Sequence, residues 1–227
     1  VIVSVHIPKT AGTTLQVDLR HVFGGRLLYD YDDWVEVEMT PETIRHNEHR
    51  RAEVLANAKA IAEQYDAVHG HFVANKYLGI FPVTALFTIV RDPYQHAVST
   101  FEFASRIPDS THPGFLSFKE QRMTLLDFIE AFPNHQSRYF GGLSPDDFTL
   151  IGLTERYEQS VALIEAICGI PMPRASVRQN VNPAKQSPAY EIDPDVRRAV
   201  NRFRQEDIEL YRVACERFAT LCSRYGV

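Results

Sequence analysis

The chain has 227 residues, 44% of them hydrophobic and 23% charged, and its 24 Lys and Arg against 29 Asp and Glu give a formal net charge of -5. That length suits one ordinary globular domain with a sizeable core, so a single domain over residues 1–227 is expected. The acidic balance speaks against a dedicated nucleic-acid binder, 11 Gly and 13 Pro are too few for a collagen-like or low-complexity chain, and no apolar run is long enough to span a bilayer.

Residues 1–6 form a short apolar run bounded by Pro8 and Gly12, the pattern of a buried parallel strand. Residues 13–23 carry Leu15, Leu19, Val22 and Phe23 at helical spacing, and Gly24-Gly25 ends that helix. Residues 30–38 (DYDDWVEVE) are acidic and aromatic and are expected on the surface. Thr40-Pro41-Glu42 has the chemistry of a helix start, and the helix is predicted to run to residue 65. A second strand is predicted at 66–69. Residues 84–90 (TALFTIV) make the clearest core strand. It stops at Arg91-Asp92-Pro93, where Asp92 caps and Pro93 opens a helix to about residue 106.

Residues 106–122 hold turn formers and aromatics and read as a long loop or lid. A short helix follows at 125–132, a strand at 148–152 and a helix at 155–168. Residues 170–189 are proline-rich and irregular, and 193–224 are helical with a break near Glu206-Asp207. Arg197, Arg198, Arg202 and Arg204 alternate with acidic residues there, as on a solvated, salt-bridged face. Cys168, Cys215 and Cys222 are too few for a disulfide framework and lack zinc-site spacing; a reducing compartment suits them.

Strands alternating with helices imply an α/β fold, a central parallel sheet flanked by helices with right-handed crossovers. Ligands of such sheets bind at the carboxyl ends of the strands. Three unusual local sequences sit at such ends.

After the first strand comes His6-Ile7-Pro8-Lys9-Thr10-Ala11-Gly12-Thr13-Thr14. A tight loop running into a helix offers backbone N–H groups to an anion, Lys9 adds a charge, and Thr10, Thr13 and Thr14 add hydroxyls. It is not a Walker A loop, because Lys9 precedes the glycine rather than following one, which disfavours ordinary ATP or GTP chemistry. After the TALFTIV strand, Arg91 can grip a phosphate with two parallel N–H groups, and Ser99 follows on the next helix. After the second strand, Val68-His69-Gly70-His71-Phe72 puts two imidazoles on one side if extended, with no third ligand at a spacing that suggests a metal. Gly70 permits close approach of a ligand or another backbone.

PKTAGTT resembles the 5′-phosphosulfate loop of sulfotransferases, and TIVRDPYQHAVSTF resembles their 3′-phosphate motif, including the Arg91-to-Ser99 spacing. The HIPKTAGTT opening and the His-Gly-His segment are closest to the carbohydrate (heparan or uronyl) 2-O-sulfotransferase branch. Residues 151–157 (IGLTERY) and 178–182 (RQNVN) are also similar to it.

The resemblance implies a P-loop-like nucleotide-binding fold. It implies a donor, 3′-phosphoadenosine 5′-phosphosulfate (PAPS, product PAP), and transfer of its sulfuryl group to an acceptor hydroxyl, on a sugar or glycan, with no metal required. It assigns His71 as general base, His69 as its assistant, and Lys9 as the group that stabilises the leaving phosphate. Lys9, Thr10, Ala11, Gly12, Thr13 and Thr14 would hold the 5′-phosphate, and Arg91 and Ser99 the 3′-phosphate. Arg178 would join from the basic loop it shares with Lys185, and Thr154 and Tyr157 would border the adenine. His6 reads as structural. A nucleotide or small-molecule kinase and a non-catalytic PAP-binding protein are the alternatives. The partners expected are a glycan or small-molecule acceptor, with no nucleic acid. A cytoplasmic, bacterial-type enzyme is favoured over the lumenal domain of a Golgi enzyme.

Overall fold

The structure, a computed structural model, describes residues 1–37, 39–106, 118, 120–173, 187 and 189–227. Its centre is a five-stranded sheet of β1 (Ile2–Val5), β2 (Leu27–Asp30), β3 (Ala67–Gly70), β4 (Ala85–Val90) and β5 (Leu150–Leu153), in the order β2-β3-β1-β4-β5 and parallel throughout. Every residue of β1, β3, β4 and β5 is buried, so these strands read as continuous apolar runs rather than alternating ones. Helices α1 (Gly12–Phe23), α2 (Pro41–Ala56), α3 (Ala58–Gln64), α4 (Pro93–Arg106), α5 (Leu125–Ala131), α6 (Tyr157–Cys168), α7 (Pro194–Phe203) and α8 (Gln205–Tyr225) flank the sheet.

Local signals act as their chemistry dictates. Thr40 accepts a hydrogen bond from the Thr43 N–H at the start of α2, with Pro41 in the first turn. Asp92 caps α4, its Oδ1 accepting from the N–H groups of Tyr94 and Gln95 at 3.0 and 2.9 Å. The long helix predicted from 40 to 65 is two, meeting at Asn57, and the terminal helix breaks at Arg204.

Three sequence expectations are corrected. Strand β2 has no counterpart in the reading above: it is a four-residue sheet edge in which only Leu27 and Asp30 are buried, too short to show a period. Asp30 and Asp33, expected on the surface, are buried around Lys76, whose ammonium donates to Asp30 at 2.6 Å and to Asp33. Tyr77 donates its hydroxyl to the same Asp30 oxygen at 2.5 Å. Arg204, expected on a solvated face, is fully buried, whereas Arg198 is exposed and paired with Asp195.

Candidate active site

The register places the three unusual sequences side by side. Val5, the last residue of β1, lies opposite Gly70 of β3 on one side and Thr88 of β4 on the other. The segments that follow therefore leave three adjacent strands at the same sheet end. Gly70 serves the approach of another backbone: a Cβ there would stand 1.5 Å from the Asp30 carbonyl oxygen.

The loop after β1 is built so that its carbonyls are occupied. Thr10 is buried and donates its hydroxyl to the Ile7 carbonyl at 2.8 Å. His96 Nε2 lies 2.9 Å from the Pro8 carbonyl, and Arg91 Nη1 donates to the Lys9 carbonyl at 3.3 Å. Three successive carbonyls are thus bonded by side chains. Lys9 and Ala11 adopt left-handed backbone, with φ of 64° and 69°, a conformation costing an L-residue roughly 1–2 kcal/mol. Helix α1 begins with no side-chain cap bond and no acidic residue in its first turn. Such a helix start favours an anion through its dipole and first N–H groups. Gly12 is required by packing: a Cβ would lie 1.8 Å from His6 Cδ2.

Lys9 is half-buried, its ammonium 4.2 Å from the centre of the Phe103 ring. Burial first, then the cations of Arg106 and Arg91, bring it down to about 8. Arg91 is also lowered, chiefly by burial, and lies 5.8 Å from the Tyr190 ring. Ser99 is buried on α4. The Thr10 hydroxyl is thus committed to the loop itself, Thr14 is buried and Thr13 half-buried. Thr154 donates to the Val90 carbonyl at 3.0 Å, and Tyr157 to Asp18 at 2.7 Å. Arg178 and Lys185 lie outside the described residues, as does most of the 106–122 segment.

The histidines form an aromatic cluster. The His6 ring stacks on His69 at 5.1 Å and meets His71 edge-on at 4.4 Å; Tyr31 packs 4.7 Å from His71. His6 is therefore the third imidazole that linear spacing did not reveal, although among the described residues no such group is arranged to hold a metal ion. His69 is fully buried, its Nδ1 2.8 Å from Ser4 Oγ. Burial, then neighbouring His71, push it down to about 3, so its ring is neutral at physiological pH. His71 lies just past β3 and is only partly buried.

Lys9 and His71 both line a cavity of about 550 Å³. Its lining is largely aromatic: Phe103, Phe118, Phe128 and Phe132, with Phe128 packed on Phe118 and Phe132, and Tyr31, Trp34 and Tyr139, of which Tyr31 and Tyr139 lie against His71. The loop after β2 that brings Trp34 here is fastened to α2. Asn47 accepts from the Trp34 N–H at 3.0 Å and donates to its carbonyl at 2.8 Å, and the indole stacks on His46 at 4.2 Å. Several polar groups of the wall are committed internally. Arg50 pairs with Asp32 and Glu53, Arg138 donates to the carbonyls of Pro133 and Asn134, and Thr100 donates to the His96 carbonyl.

Beyond the predicted residues, the site includes Tyr31, Phe103, Arg106, Arg138 and the buried Gln136. No short motif marks them; only the fold brings them here.

No family model matches the chain, and no curated protein does. Among solved structures it is similar to the crystal structure of a sulfotransferase from Alicyclobacillus acidocaldarius, with a TM-score of 0.52 and 14% identity, covering 93% of this chain and 94% of that one. The shared feature is architecture: the α/β fold with a helix-flanked parallel sheet is that of a sulfotransferase.

Proposed function

We propose that the chain is a PAPS-dependent sulfotransferase acting on an acceptor hydroxyl. The observation that carries this reading is the convergence at three adjacent strand ends. A helix-opening loop with its carbonyls tied back, Arg91 bonded to that loop, and His71 meet there, with Lys9 and His71 on the wall of one cavity. The fold likeness supports it at the level of architecture.

PAPS supplies an activated sulfuryl group and a second phosphate, which accounts for two separate basic elements. The residues fit such a donor: the helix start is uncapped and free of acid, and the crowding of Lys9, Arg91 and Arg106 is relieved by an anion. In this reading the main chain of residues 10–14, with the Thr13 and Thr14 hydroxyls, holds the 5′-phosphate. Arg91 and Ser99 hold the 3′-phosphate, and Arg178 remains a candidate beside them. Lys9 neutralises charge gathering on the leaving phosphate, where one preorganised donor is typically worth about 3–4 kcal/mol of barrier. As in phosphoryl transfer, in-line displacement with charge spread over the moving group's oxygens makes positioning and charge the protein's main contribution. His71 accepts the acceptor's proton. His69, buried and neutral, assists by fixing the ring cluster from behind.

The resemblance to the carbohydrate 2-O branch puts a sugar or glycan hydroxyl first among acceptors. The cavity supports an acceptor, or acceptor unit, of drug-like size that presents an apolar face to the phenylalanine wall, since much of the polar wall is already bonded. A C–H face of a sugar ring meets that requirement, and so does an aromatic ring. A panel of sugars, phenols and alcohols offered with PAPS separates them. His71→Ala is expected to lower sulfuryl transfer about 10²–10⁴-fold while PAP affinity stays within about twofold. Unchanged turnover removes His71 as base, and binding without transfer to any acceptor favours the non-catalytic alternative.

A further inference from the structure

The carbonyls behind the phosphate loop lead back to one helix junction. Arg204, between α7 and α8, is fully buried with Nη1 3.3 Å from His96 Nδ1. A guanidinium only donates, so His96 Nδ1 accepts and the ring proton sits on Nε2. That N–H then donates to the Pro8 carbonyl at 2.9 Å. Burial, and next the Arg204 charge, hold His96 well below the ordinary histidine range, so the ring stays neutral and in one tautomer.

Just beyond Arg204, in the first turn of α8, Asp207 is also fully buried and accepts from the main-chain N–H groups of Gln136 and Ser137 at 2.9 and 2.8 Å. Gln136, held there, turns its amide onto Arg91. It accepts from the Arg91 N–H at 2.8 Å and donates to the Arg91 carbonyl at 2.9 Å. The main chain of both basic elements is therefore set from one turn of helix.

We propose that Arg204 and Asp207 are positioning residues: acting through His96 and Gln136, they hold the Pro8–Lys9 loop and the Arg91 main chain at the separation a ligand with two phosphates requires. The assignment rests on the sulfotransferase reading. Among the described residues, Arg204 Nε and Nη2 and Asp207 Oδ2 have no hydrogen-bond partner. Arg204 and Asp207 offset each other's charge, and the side-chain bonds each makes run to the two basic elements through His96 and Gln136.

The test compares adenosine 3′,5′-bisphosphate with AMP, which carries one phosphate, by calorimetric titration of the full chain. His96→Leu removes both bonds of the relay. His96→Gln keeps an acceptor for Arg204 and a donor for Pro8. Because a fixed separation lets both phosphates bind at once, His96→Leu is expected to cut the preference for the bisphosphate over AMP by about tenfold or more. His96→Gln should hold it within about threefold, and Gln136→Leu should reproduce the loss. A variant that is merely less folded loses both ligands in proportion, and circular dichroism reports the folded fraction. An unchanged preference in folded His96→Leu overturns the positioning role alone. Failure of the parent chain to bind the bisphosphate overturns the sulfotransferase reading, and this role with it.

Discussion

Lys9 carries a charge that its surroundings resist. Burial, then Arg106 and Arg91, lower it to about 8, whereas an anion placed among the three cations favours the protonated form. Binding of PAP therefore takes up a proton when the pH lies above 8, and affinity falls as pH rises through that value. Titrations at about pH 7 and pH 9.5 check this, and Lys9→Arg should flatten the profile because guanidinium stays charged. A flat profile in the parent chain contradicts the assignment of Lys9 to the anion. Gly12 offers a second residue-level test. Alanine there meets the His6 ring, and overpacking of that kind costs about 1–3 kcal/mol, readable in urea unfolding; a stability equal to the parent's would show that the ring has room to move.

Much of the candidate site was legible in the residues themselves. Lys9, Gly12, Thr13, Arg91 and His71 lie in contiguous motifs whose meaning is local: a loop, a helix start, a strand end. Arg204 and Asp207 were not legible, because they stand among alternating charges like those of any exposed helix. Only the packing of the α7–α8 junction against His96 and Gln136 buries them. The packing of His6 was hidden for a related reason: its ring partners His69 and His71 come from β3 and the residue just past it, more than sixty residues later.

At the scale of elements, the loop after β2 shows how a short edge strand can matter to a site. Its first residues are pinned by the buried Lys76 with Asp30 and Asp33, and by Asn47 on the Trp34 main chain. Lys76→Met leaves two carboxylates buried without their cation, so a loss of about 3–5 kcal/mol is expected in urea unfolding. The same change should weaken acceptor use more than PAP binding, because this loop lines the cavity while the phosphate loop leaves β1. Equal loss of both would mean that the network supports the whole sheet instead. The strand escaped sequence reading because four residues with two buried positions carry no period. The acidic run there looks solvated until Lys76, 46 residues on from Asp30 and 43 from Asp33, is brought beside it. The strands of residues 2–5 and 85–90, buried on both faces, were legible as uninterrupted apolar runs.

At the scale of the molecule, the sheet order puts β1 between β3 and β4, and that adjacency brings three separated motifs to one end of the sheet. The similarity to a sulfotransferase at 14% identity speaks for the same architecture, and a shared fold does not by itself carry an activity. The claim that does is the presence of two anion cradles spaced for one ligand. Calorimetric titration with adenosine 3′,5′-bisphosphate and ATP in parallel, without added metal, tests it most directly. The account predicts that the bisphosphate binds at least about tenfold more tightly, since ATP leaves the Arg91 cradle without its charged partner. Preference for ATP, or no binding of the bisphosphate, would contradict it.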